Sequence, residues 1–176
     1  MTRIDDVRLI SELLTTAEQE ARAAGDEQPG AEHLLLAATI TGDDTARIAL
    51  ARWDASPDRI RAAIEAVHAQ ALASIGLPGS SRAPISAAPA GVYRSDANAQ
   101  RVFTRAGELA RKRRPKGLRT AHVVLAVAEL EEGTARRVLR ELGISPDALT
   151  EAANAALQEG GEASGPTAAE ADTRAV

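Results

Sequence analysis

The chain has 176 residues, of which 44% are hydrophobic and only 2% aromatic, with a net charge of −4 and no cysteine. This length suits one domain with a real core. The absence of cysteine excludes disulfides and thiolate metal sites, and three scattered histidines argue against structural zinc.

A core of Ala, Leu, Val and Ile favours close-packed helices over a β-sandwich. The mild negative charge argues against a dedicated nucleic-acid binder, although it leaves room for a local basic patch. Met1-Thr2-Arg3-Ile4-Asp5-Asp6 lacks an apolar run behind a basic start, so no signal peptide is expected. No stretch approaches the roughly 18 apolar residues of a membrane span, and the cytoplasm is the expected location, without a membrane partner.

In chain order, Ile4, Val7, Ile10, Leu14, Ala17 and Ala21 recur at helical spacing, and Gly25 predicts the end of that first helix. After Gly30, the run from Ala31 to Ile40 is apolar almost all round, which predicts a central, buried helix. Asp43 or Asp44 can cap a third helix carrying Ala46, Ile48, Ala49 and Leu50. Ser56-Pro57-Asp58 predicts the start of a fourth: a cap, a proline at the first helical position, then an acid. It carries Ile60, Ile64, Val67 and Leu72.

Residues 74–94 are rich in Gly, Pro, Ser and Ala and read as a surface linker. The plan then repeats. Ser95-Asp96 opens a helix through Val102, Phe103, Ala106 and Leu109; Thr120 opens a second buried helix; Thr134 to Leu142 is the third; Ser145-Pro146-Asp147 starts the last. That helix is expected to fade near Gly160, with residues 159–176 a disordered tail.

The repetition is literal. Laying His33 on His122 also lays Leu36-Ala37 on Leu125-Ala126, Thr45-Ala46-Arg47 on Thr134-Ala135-Arg136, and Ser56-Pro57-Asp58 on Ser145-Pro146-Asp147. About 12 of roughly 40 positions match without a gap, through loops as well as helices. The expected fold is all-α: eight helices as two pseudo-two-fold related four-helix repeats. A single domain over 1–158 would comprise repeat one (4–73), the linker (74–94) and repeat two (95–158).

Gly30-Ala31-Glu32-His33-Leu34-Leu35-Leu36, its counterpart Arg119-Thr120-Ala121-His122-Val123-Val124-Leu125, and the stretch from Glu131 to Gly143 together resemble the amino-terminal domain of Clp ATPases. The resemblance covers roughly residues 4 to 158. The chain has no Gly-x-x-x-x-Gly-Lys-Ser/Thr phosphate loop, so it reads as a free-standing copy of the recognition module, and no cofactor is implied. Similar small proteins occur in actinobacteria. The resemblance implies a non-enzymatic adaptor, decoy or regulator of Clp proteolysis, with protein or peptide clients and Clp protease components as partners.

It also implies candidate site residues. In family members serving protein turnover, the motif glutamate helps hold a phosphorylated arginine: the carboxylate accepts from the guanidinium while helix-start amides receive the phosphate. Glu32, between Ala31 and His33, matches in repeat one; in repeat two Ala121 stands in its place, which weakens that site unless Arg119, beside Thr120, recruits another anion. Aromatic residues through which the family receives cyclic peptide antibiotics lie near the chain start and the start of repeat two; Thr2 and Arg3 offer none, whereas Tyr93 is close to the second position.

Arg111, Lys112, Arg113, Arg114 and Lys116 form the strongest charge cluster. Cations at a helix end are a sufficient structural reason for it. The alternative is an anion-binding patch, and nucleic acid is disfavoured because no aromatics are interleaved to stack on bases. His33 and His122, recurring at one repeat position, are expected to bond to backbone. The paired acids Asp43-Asp44 and Glu131-Glu132 are expected to cap helices, and Trp53 to pack in the core. No catalytic constellation is legible.

Overall fold

A computed structural model describes residues 3–77, 84, 95–112 and 117–162. Among these residues the chain forms eight α-helices: α1 (Arg3–Ala23), α2 (Ala31–Ile40), α3 (Thr45–Leu50), α4 (Pro57–Ser74), α5 (Ala97–Lys112), α6 (Thr120–Ala128), α7 (Thr134–Glu141) and α8 (Pro146–Glu162). A 3-10 turn, Ala51–Trp53, follows α3. No described residue is in a strand.

The expected start signals act as expected. Ser56 Oγ accepts the Arg59 N–H at 3.4 Å, and Ser145 Oγ accepts that of Ala148 at 3.3 Å. Asp96 Oδ1 accepts the Ala99 N–H at 2.6 Å and so starts α5. Each of these caps satisfies an amide that a helix start leaves open. The duplication extends to backbone strain. Gly143 closes α7 with φ +70°, and the matching position in repeat one, Asp54, takes φ +50°, a left-handed conformation that is costly for a residue with a Cβ.

The centre is the pair α2 and α6, which pack on each other and are buried from end to end apart from Ile40. Their all-round apolar composition leaves no face that water would favour. α1 covers α2 and α5 covers α6, while α3 packs on α8 and α4 on α7. The last two contacts cross between repeats. Neither half closes its own core; the two repeats share one hydrophobic core.

Three expectations are corrected. The buried stripe of α1 is Leu9, Leu13, Ala17 and Ala21, whereas Val7 is 64% exposed and Ile10 and Leu14 are only partly buried. Both stripes have helical spacing; α2 packs on the one carrying Leu9 and Leu13. α8 runs through Gly160 and Gly161 to Glu162, so residues 159–162 are helical and not tail; 163–176 lie outside the described residues. Asp43 does cap α3, with Oδ1 accepting the Thr45 N–H at 2.9 Å, but the start of α7 has Gly133 and no side-chain cap, and Glu131 and Glu132 are exposed. Trp53 is partly buried against the core, with the Arg52 guanidinium 4.7 Å from its ring centre.

Candidate functional site

His33 stands at the third position of α2, and its Nδ1 accepts the Gly30 N–H at 3.1 Å. His122 does the same in α6, accepting the Arg119 N–H at 3.0 Å. Each ring serves an amide that the helix cannot. A ring accepting at Nδ1 carries its proton on Nε2. In repeat one that nitrogen lies 3.5 Å from Asp26 Oδ2, which is also 3.8 Å from His68 Nε2. Burial lowers the His33 pKa from 6.5 to about 4, with Asp26 opposing the shift.

Glu32 is only 6% exposed. Its carboxyl folds back over Gly30, so a Cβ added there would sit 2.2 Å from Oε1. Gly30 has φ −95° and ψ 179°, which any residue can adopt. A side chain at this position would require the Glu32 carboxyl to move, while the backbone itself suits any residue. Repeat two makes the opposite choice: Arg119 has a side chain where Gly30 has none, and Ala121 has no carboxyl to accommodate. Burial raises the Glu32 pKa from 4.5 to about 7; the bond from its own backbone amide opposes this, and the charges of Asp96 and Asp26 add to it. Asp96 is brought close because its N–H donates to Pro29 O at 3.1 Å.

Ala31 is buried, Thr120 has 0% exposure and Arg119 8%. Tyr93, Arg113, Arg114 and Lys116 lie outside the described residues; Arg111 and Lys112 are exposed on the last turn of α5. Buried Arg119 therefore does not extend the exposed Arg111–Lys112 surface.

A cleft of about 720 Å³ lies between α1 and α5. Ile10, Phe103, Ala110 and Leu118 supply apolar walls, Gly107 leaves room in α5, and Asp6 and Arg111 supply opposite charges. Asp6 Oδ1 also accepts the Leu118 N–H at 2.9 Å, tying α1 to the segment before α6. Sequence reasoning missed Phe103 as a lining residue because its helical spacing reads only as core, and Leu118 because it precedes α6 outside any periodic stretch. The signal that could have found the cleft is the second apolar stripe of α1. A second cleft, about 550 Å³ along α5 and α6, has its Arg105 guanidinium engaged by Glu129 at 2.6 and 2.9 Å and by Glu108 at 3.1 Å. A third, about 70 Å³, lies beside His33, Glu20 and Arg61. Glu32 lines none of the three.

The pattern of the Clp repeat (R) N-terminal domain matches residues 9–86 and again 94–175. The chain belongs to this family. Two solved structures share the fold. The N-terminal domain of the caseinolytic protease associated chaperone ClpD from Arabidopsis thaliana matches at 21% identity and TM-score 0.58, over 90% of this chain and 94% of that one. The Hsp104 N-terminal domain from Candida albicans matches at 18% identity and TM-score 0.54, over 82% and 85%. No curated protein matches. Among the described residues of this Clp repeat domain, no helix is long and apolar enough to cross a membrane.

Proposed function

We propose that this Clp repeat domain is a non-catalytic peptide- and protein-binding module that delivers, sequesters or regulates clients of Clp proteolysis. The observation that carries the reading is the α1–α5 cleft: an apolar trough with Asp6 and Arg111 in its lining and exposed Val7 on the same α1 stripe as Ile10. Apolar side chains of an extended or unfolded segment bury surface there, while the two charges meet backbone or polar groups at the edges. A compact cyclic peptide has the same needs. The reading rests on the cleft together with family membership.

The test is fluorescence anisotropy with labelled, reduced and carboxymethylated α-lactalbumin as an unfolded client. Ile10→Asp and Phe103→Asp place a charge in the trough and should weaken binding at least about tenfold, a loss of about 1.4 kcal/mol. Unchanged affinity in both folded variants would refute the cleft as the client site.

Phosphoarginine recognition at Glu32 is a distinct, narrower reading, supported by the motif match at Gly30-Ala31-Glu32-His33. Asp26 and Asp96 next to Glu32 favour the guanidinium over its phosphate. Calorimetry with an arginine-phosphorylated peptide and its unphosphorylated twin separates the two. Phosphate-dependent binding lost in Glu32→Ala would establish phosphoarginine; equal binding would remove it. The nucleic-acid alternative rests on the basic patch of residues 111–119 and predicts a steep salt dependence of DNA binding.

A further inference from the structure

The start of α6 is the counterpart of the α2 start that carries Glu32, and it is engaged from within the chain. Thr120 and Thr45, at the first positions of α6 and α3, meet across the repeat boundary with their hydroxyls 3.2 Å apart. Each accepts the amide after the other: Ala46 N–H donates to Thr120 Oγ1 at 3.1 Å, and Ala121 N–H to Thr45 Oγ1 at 3.0 Å. Two helix starts therefore converge, each bringing amide donors that its own helix leaves open, and α6 also brings the positive end of its peptide dipoles. A carboxylate is favoured there.

Asp43 supplies one. Its Oδ1 accepts from the Thr45 N–H at 2.9 Å, from the Thr120 hydroxyl at 2.9 Å, and from the Thr45 hydroxyl. Its Oδ2 accepts from the Thr120 N–H at 3.4 Å, and its backbone carbonyl, 3.0 Å from the Thr120 hydroxyl, shares that hydroxyl's single proton with Oδ1. Thr45 and Thr120 are buried. The pseudo-symmetric junction lacks the parts: Ala31 stands where Thr120 does, and Glu132, opposite Asp43 in the repeat, is exposed.

We propose that Asp43 is a resident anion and latch: its carboxylate occupies the anion position at the start of α6, closing it to outside anions while it fastens repeat one to repeat two. The repeats thus differ in kind. Repeat one places its own motif carboxyl at its helix start, and repeat two receives a carboxylate from repeat one. The proposal is independent of what the α1–α5 cleft binds.

The probe is inorganic phosphate, followed at the Thr120 and Ala121 amides by nitrogen–proton correlation spectra of the whole chain. Wild type should show no saturable shift there. Asp43→Ala, which vacates the position, and Asp43→Asn, which keeps the shape but removes the charge, should be less stable; phosphate should shift both amides saturably and restore stability, as a ligand of the folded state must. A saturable shift at these amides in wild type would overturn the closure. A folded Asp43→Ala chain that ignores phosphate would overturn the resident-anion role. If both variants are unfolded in chloride, refolding by phosphate supports the proposal and failure to refold counts against it.

Discussion

Glu32→Gln should change the pH dependence of stability more than its magnitude. In the unfolded chain the Glu32 carboxyl titrates at its ordinary 4.5, and in the folded domain near 7. Between these values the folded protein holds a proton that the unfolded chain has released. A raised pKa of this kind makes stability fall as pH rises, by about 1.4 kcal/mol per pH unit, or about 3 kcal/mol in all, levelling off above 7. Glutamine keeps a carbonyl oxygen and the shape but has no titrating proton to lose. The stability of Glu32→Gln relative to wild type should therefore grow by about 3 kcal/mol between pH 4.5 and 7.5.

His33 works in the opposite sense. Its pKa is lowered from 6.5 to about 4, so its contribution is full above 6.5 and is lost as pH falls towards 4. Over the shared window the two neighbours cancel, and removing Glu32 exposes the His33 slope. The assay is urea denaturation followed by far-ultraviolet circular dichroism at half-unit steps of pH. Parallel stability curves for the two proteins would refute a buried, neutral Glu32.

Three further expectations follow the same logic. Gly30→Ala drives a Cβ into the Glu32 carboxyl and should cost about 1–3 kcal/mol; adding Glu32→Ala should relieve much of that, giving a coupling of at least about 0.5 kcal/mol in a double-mutant cycle by chemical denaturation. His122→Ala leaves the buried Arg119 N–H without its acceptor and should cost about 1–3 kcal/mol, with faster exchange of that amide by nuclear magnetic resonance. Leu35→Ala, at 0% exposure in α2, should lower stability by about 2–5 kcal/mol in a thermal or urea melt, and a loss below 1 would contradict its place at the centre.

Much of this fold is legible along the chain because its determinants are local. The capping serines, Asp96 and the prolines at helix starts act within one turn, and the all-round apolar runs of α2 and α6 admit no arrangement except burial. The duplication, read from matched residues, carries the family and the pseudo-two-fold plan. The role of the motif histidines was equally readable, since their Nδ1 partners lie three residues away.

What the chain alone left open depends on elements distant in sequence. α1 carries two apolar stripes of similar spacing, and only packing on α2 decides that Leu9 and Leu13 go inside while Val7 and Ile10 face outward and the cleft. Asp43 reads as a local cap and is one, yet its second oxygen reaches Thr120 across the repeat boundary. Glu32 carries the motif match, but its accessibility and protonation follow from how the chain folds around it, with Gly30 beneath and Asp26 and Asp96 brought alongside. Periodicity and caps are properties of consecutive residues, so sequence determined the helices, their repetition and the buried centre. Which faces remain open, and which charges meet, are properties of pairs far apart in the chain, and tertiary packing alone decided them.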